Sequence, residues 1–118
     1  MSSRIYRAVA GASLNLAKIT DHSANLCGMA IVNTTAAIIY VKLYLSGNSL
    51  ATPTDATPVV GTTVPWLTIQ CPVSAMTPLN FSIPMTCGQT LWIATTGAAA
   101  DSDTTVIGAG PILQVFYE

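Results

Sequence analysis

Short apolar runs of strand length recur along this chain, each closed by a cluster of Gly, Pro, Thr, Ser or Asn. No stretch keeps a 3.6-residue apolar period for three turns. The pattern predicts strands over 5–9, 13–19, 26–32, 37–45, 64–71, 79–83, 90–95 and 111–117, with helix a minor component at most. Alternation is clearest over 37–45, where Ile39, Val41, Leu43 and Leu45 share one face and Ile38, Tyr40, Lys42 and Tyr44 the other. The first face is expected to enter the core. The second sets two tyrosines around a lysine, and each Tyr offers an apolar body and a polar tip, so it is expected to be a partly exposed or contacting surface. A solvated outer face with two ordinary cross-strand tyrosines is the alternative. Because alternation commits one face of each strand to burial, Val9, Leu16, Ile31, Val41, Leu43, Leu67, Ile69, Ile93, Leu113 and Val115 are the expected core.

The punctuation between runs sharpens this. Pro65 and Pro72 bracket 66–71, and Pro78 and Pro84 bracket 79–83. A residue without an N–H cannot serve a ladder on both sides, so these prolines mark strand ends or sheet edges. The segment 46–63, with Gly47, Pro53, Pro58 and Gly61, is expected to be a long loop able to reach a neighbouring subunit. Leu91-Trp92-Ile93-Ala94 runs into Thr95-Thr96-Gly97-Ala98-Ala99-Ala100-Asp101-Ser102-Asp103-Thr104-Thr105, a turn of small residues before the last strand. The expected fold is all-β: one antiparallel β-sandwich domain over 1–118, jelly-roll or immunoglobulin-like, with a short N-terminal arm at about 1–7.

Composition turns the fold toward assembly. Of 118 residues, 51% are hydrophobic and 8% charged, with a net charge of -1. Soluble domains carry about 25% charge, and interface cores are depleted in it, so a partner surface is the simplest explanation. A monomer solvated by its Thr, Ser and Asn side chains is the alternative. The residues expected to touch a partner are Arg4, Arg7, Tyr40, Lys42, Tyr44 and Asp55. Four basic residues cannot neutralise a run of phosphates, so no direct nucleic-acid binding is expected. No apolar run approaches the ~20 residues of a membrane helix, and 1–12 lacks a signal-peptide core. The expectation is therefore no membrane association, and synthesis in a cytoplasm.

Catalytic and metal chemistry is not expected. Cys27, Cys71 and Cys87 form no CxxC pair and have one histidine for company, so they are read as reduced, mostly buried thiols. His22 follows Asp21 in a turn-like stretch with no activated nucleophile. Asp101-Ser102-Asp103 has a calcium-loop spacing without the further carboxylates of such a loop, and reads as a turn held by side-chain bonds to backbone N–H groups. Gly108-Ala109-Gly110 lacks the lysine and helix of a phosphate loop. Trp66 and Trp92 could stack on a sugar, yet each lies in an apolar run and reads as core. No enzyme activity and no cofactor are expected.

Two segments carry a resemblance. One is 36–72, with Tyr40-Val41-Lys42-Leu43-Tyr44, Val60-Gly61-Thr62-Thr63-Val64-Pro65 and Leu67-Thr68-Ile69; the other is 91–117, with Thr96-Gly97-Ala98-Ala99-Ala100-Asp101-Ser102-Asp103-Thr104-Thr105. Together, over more than half the chain, they resemble a family of small virion structural proteins of tailed bacteriophages and prophages. The resemblance implies a virion component, a capsid decoration or cement protein on the capsid exterior, made in the bacterial host cytoplasm. Its implied partners are the major capsid protein and copies of itself, as a homotrimer. The alternative is a tail or neck component, such as a tail-tip receptor- or carbohydrate-binding module using Trp66, Tyr40 or Tyr44 as a stacking platform.

Overall fold

The computed structural model describes residues 4–20, 24–45, 57–87 and 90–118, with their side chains except those of 24 and 82–87. Eight strands follow in order: β1 (Arg4–Val9), β2 (Ala17–Lys18), β3 (Ala24–Asn33), β4 (Ile39–Leu45), β5 (Leu67–Cys71), β6 (Ala75–Cys87), β7 (Leu91–Thr96) and β8 (Ile112–Tyr117). All pairings are antiparallel and give two four-stranded sheets, β1-β8-β3-β6 and β2-β7-β4-β5. The pairs β1–β8, β2–β7, β3–β6 and β4–β5 nest one inside the next, which is the winding of a jelly roll. The all-β sandwich expected from apolar alternation is the fold observed.

One core lies between the sheets. Leu26, Met29 and Ile31 of β3 and Leu113 and Val115 of β8 face Ile39, Val41 and Leu43 of β4, Cys71 of β5 and Leu91 and Ile93 of β7. Tyr6, Trp66, Leu67, Ile69, Leu79 and Phe81 pack around it, half-buried. Asn33 closes one end. Its buried Nδ2 donates to the carbonyls of Ala37, Cys71 and Pro72 at 2.8, 3.2 and 3.0 Å, and its Oδ1 accepts from the Thr35 amide and hydroxyl. A single side chain thus ties the β3–β4 turn to the end of β5, satisfying carbonyls that would be costly to leave unpaired. Cys27 and Cys71 are free thiols, both held above their ordinary pKa, first by burial.

Several expectations give way. Val9 is 61% exposed and Leu16 37% exposed, so neither is core. In β1 the inward positions are Tyr6 and Ala8, followed by the buried Ala10, because these face Val115 and Leu113 of the neighbouring strand. Only two residues of 13–19 pair as strand. Asn15, at φ 54°, takes the left-handed conformation, and its side chain bonds the Gly11 amide and carbonyl, the Ser13 carbonyl and the Thr95 hydroxyl, which makes 11–16 a stapled loop. Pro78 and Pro84 do not bracket a strand; β6 runs through both, as an edge strand can. Arg4 and Arg7 lie in β1, paired with Tyr117 and Gln114, so no arm extends over 4–7. His22, Asp55, residues 1–3 and 46–56 of the expected loop lie outside the described residues. Within 57–63, a turn closes on the Val59 carbonyl with Gly61 at φ 92°.

Candidate functional site

Register places three rows of four residues on the outer face of the β1-β8-β3-β6 sheet: Val9–Ile112–Val32–Met76, Arg7–Gln114–Ala30–Pro78 and Ile5–Phe116–Gly28–Asn80. Arg7 is the one charged residue among the twelve. The first row is apolar across every strand. Ile5, Val9 and Met76 are each about 60% exposed (62%, 61% and 58%), and Val32, Ile112 and Phe116 are half-buried by their neighbours in the sheet. Outer faces of sandwich sheets ordinarily alternate to polar residues, and this apolar row departs from that pattern.

The other sheet supplies its own cover. Tyr44, Trp92 and Ala94 stand side by side with Lys42 on its outer face, and Leu14 and Val60 pack onto them. Lys42 has no exposed surface, and its Nζ donates to the Ala100 carbonyl at 2.6 Å. Lys18 Nζ lies 5.4 Å from the centroid of the Trp92 ring, a cation–π distance.

The 97–105 turn is tied to this face by the Lys42–Ala100 bond. Asp103 Oδ2 accepts from the Ala98 amide at 3.1 Å, the Thr105 amide at 3.2 Å and the Thr105 hydroxyl at 2.6 Å, and the Gly97 amide reaches the Thr105 carbonyl at 3.0 Å. The Thr105 hydroxyl bond is the main reason its carboxyl sits below the ordinary range, and the Lys42 charge adds to it. This is the side-chain-stabilised turn read from Asp101-Ser102-Asp103. Burial, and then the Asp101 charge, pushes the Tyr44 phenol up to about 12. Its hydroxyl is buried with no hydrogen-bond partner.

The residues expected to contact a partner are therefore not one cluster. Arg4 and Arg7 are exposed on β1, at the edge of the first sheet. Tyr40 is half-buried on the second sheet, whereas Lys42 and Tyr44 are fully buried beneath its cover. The expectation of a partly exposed or contacting Tyr40-Lys42-Tyr44 face is corrected at Lys42 and Tyr44, which are buried, while Tyr40 is half-buried. Residues that do form an accessible surface, Ile5, Val9, Val32, Met76, Ile112 and Phe116, were legible only as generic apolar positions. The available signal was the apolar character of both faces of β8 and β3. No group of three His, Cys, Asp or Glu side chains able to hold a metal occurs among the described residues.

Comparison with protein families, with curated proteins and with solved structures found no match.

Proposed function

We propose that this chain is a bacteriophage virion structural protein, a capsid decoration or cement protein that binds and stabilises the shell of the major capsid protein. The observation that carries the reading is the apolar outer face of the β1-β8-β3-β6 sheet, over which no described residue folds as Leu14 and Val60 fold over the other sheet. The resemblance of 36–72 and 91–117 to small virion proteins supplies the setting. The jelly-roll winding recurs in viral capsid and lectin domains, an analogy of fold that supports the reading without assigning a role. Self-association as a trimer through the same apolar face fits a shell site of threefold symmetry.

The tail-tip carbohydrate-binding reading finds less support, because Tyr44 is fully buried, Trp92 is 9% exposed and Trp66 packs against the core. Protein gel densitometry on purified particles tests the proposal. A copy number in proportion to the major capsid protein, with rebinding of purified chain to shells lacking it, is the expected result. A handful of copies per particle, or none, overturns it.

A further inference from the structure

Four strands form the sheet edges, and three of them are closed to another strand. β2 has two residues, β5 has five and lies between Pro65 and Pro72, and β6 carries Pro78 and Pro84 within its length. Short edges and edges interrupted by proline resist strand addition. β1 has six residues and no proline, pairs with β8 along its whole length, and has no neighbour on its other side among the described residues.

The phase of its backbone follows from its ends. The Ala10 amide donates to the Pro111 carbonyl at 2.7 Å and the Ala10 carbonyl accepts from the Gly110 amide at 2.9 Å, so Ala10 points toward the β8 side. Glu118 and Asn25 exchange two bonds of 3.0 Å, so Glu118 points toward β3 and Tyr117 toward Arg4. Backbone groups alternate along an antiparallel strand, and both ends give the same result. Arg4, Tyr6 and Ala8 face β8, while the N–H and C=O groups of Ile5, Arg7 and Val9 face out of the sheet edge.

The same three residues present an apolar, a cationic and an apolar side chain on the outer face, all exposed. The strand holds two of the chain's four basic residues and no carboxylate. A second copy of β1 laid antiparallel with its hydrogen-bonding groups matched would set Arg7 against Arg7, where like charges repel, or against Ile5 or Val9, where it meets no carboxylate.

We infer that β1 accepts an extended segment of another polypeptide as a fifth strand of this sheet, with a carboxylate opposite Arg7 and apolar side chains opposite Ile5 and Val9. Main-chain bonds supply affinity in such strand addition, and alternate side chains supply specificity. The carboxylate complements the one cation on the outer face, and the apolar pair extends the exposed band of Ile5 and Val9 by one strand. The inference rests on the edge alone and stands or falls apart from any role in a virion.

The test uses the full chain, isotope-labelled for NMR, and two probe peptides, acetyl-TVTETVT-amide and its counterpart with lysine in place of glutamate. Alone, the chain should show fast amide exchange at Ile5, Arg7 and Val9 and slow exchange at Tyr6 and Ala8. The glutamate peptide should slow those three amides and bind about tenfold more tightly than the lysine peptide, with R7E reversing that order. V9P, which removes an outward N–H but no bond to β8, should weaken both peptides while the spectrum of the remaining strands persists. Absence of slowing at the three amides, or equal binding of the two peptides, overturns the inference. So does slow exchange at those amides in the chain alone, which would place a second copy on the edge.

Discussion

Lys42 and Ala100, 58 positions apart, are joined by a 2.6 Å hydrogen bond in which a fully buried ammonium donates to the carbonyl of a surface turn. The bond anchors the 97–105 turn above the outer face of β4 and lets that sheet bury its tyrosine. Truncation by K42A leaves the Ala100 carbonyl without its donor and opens a gap beneath the turn, so a loss of about 1–3 kcal/mol is expected. K42M, which keeps the length of the apolar stem, should cost less, because removing a buried charge also removes its desolvation penalty. Urea denaturation of the two variants checks the order.

Tyr44 makes stability fall at high pH. Its phenol is raised to about 12 in the folded chain from an ordinary value near 10, so between those values the folded state holds a proton that the unfolded state has lost. Stability contributed by this group is complete below pH 10 and declines as pH rises toward 12, by at most ~1.4 kcal/mol per pH unit. Y44F should flatten that part of the profile. Because the hydroxyl it deletes has no partner, it should be neutral or slightly stabilising at pH 7. Urea midpoints of both proteins from neutral pH to pH 12 measure the difference.

Gly28 admits no side chain. A Cβ placed there would lie 2.5 Å from the Leu79 carbonyl oxygen, a backbone atom of β6 that cannot turn aside. The site adjoins the β3 bulge between Leu26 and Gly28, where the register with both β6 and β8 shifts. G28A is expected to cost about 1–3 kcal/mol, as overpacking does, and to perturb the β3–β6 amides in an NMR spectrum more than those of β4–β7.

V9K and M76K sit at the two ends of the exposed apolar row, where each side chain already faces water. Each should change stability by no more than about 0.5 kcal/mol. Both should abolish self-association in sedimentation experiments and retention on capsid shells. If the proposed apolar contact holds the chain to the shell, wild-type chain should stay on the shells in about 1 M salt, where the screening length is ~3 Å. Release of the wild type by salt alone, with shells intact, contradicts that.

Each observed strand overlaps an expected apolar run, although β2 keeps only 17–18 of 13–19 and β6 runs past both ends of 79–83, and the inner face of β4, from Ile39 to Leu45, was assigned to the core on alternation alone. Alternation identifies two faces of a strand without saying which loops will lie over the second. Lys42 and Tyr44 were read as accessible for that reason, since their cover comes from Leu14, Val60 and Ala100, none adjacent in sequence. Val9 illustrates the reverse error. Alternation had set Val9 in the core, but pairing with β8 puts Tyr6 and Ala8 opposite Val115 and Leu113 on the inner face and leaves Val9 outside. The prolines of β6 marked an edge correctly and an end incorrectly, because an edge strand can continue past a missing donor on its open side.

The nesting of strand pairs also prescribes an order of events in folding. β4 and β5 are the innermost pair, and each wider pair joins segments further apart along the chain, out to Arg4 against Tyr117. Closing a loop costs more the longer the free chain between its ends, so the outer pair is cheapest to form once the inner ones have shortened that chain. Loop-closure entropy therefore favours assembly from the middle of the sequence outward, and pairing this non-local is expected to be slow. On that order β1, which has no second neighbour among the described residues, is the strand expected to dock last onto a sheet that is otherwise complete.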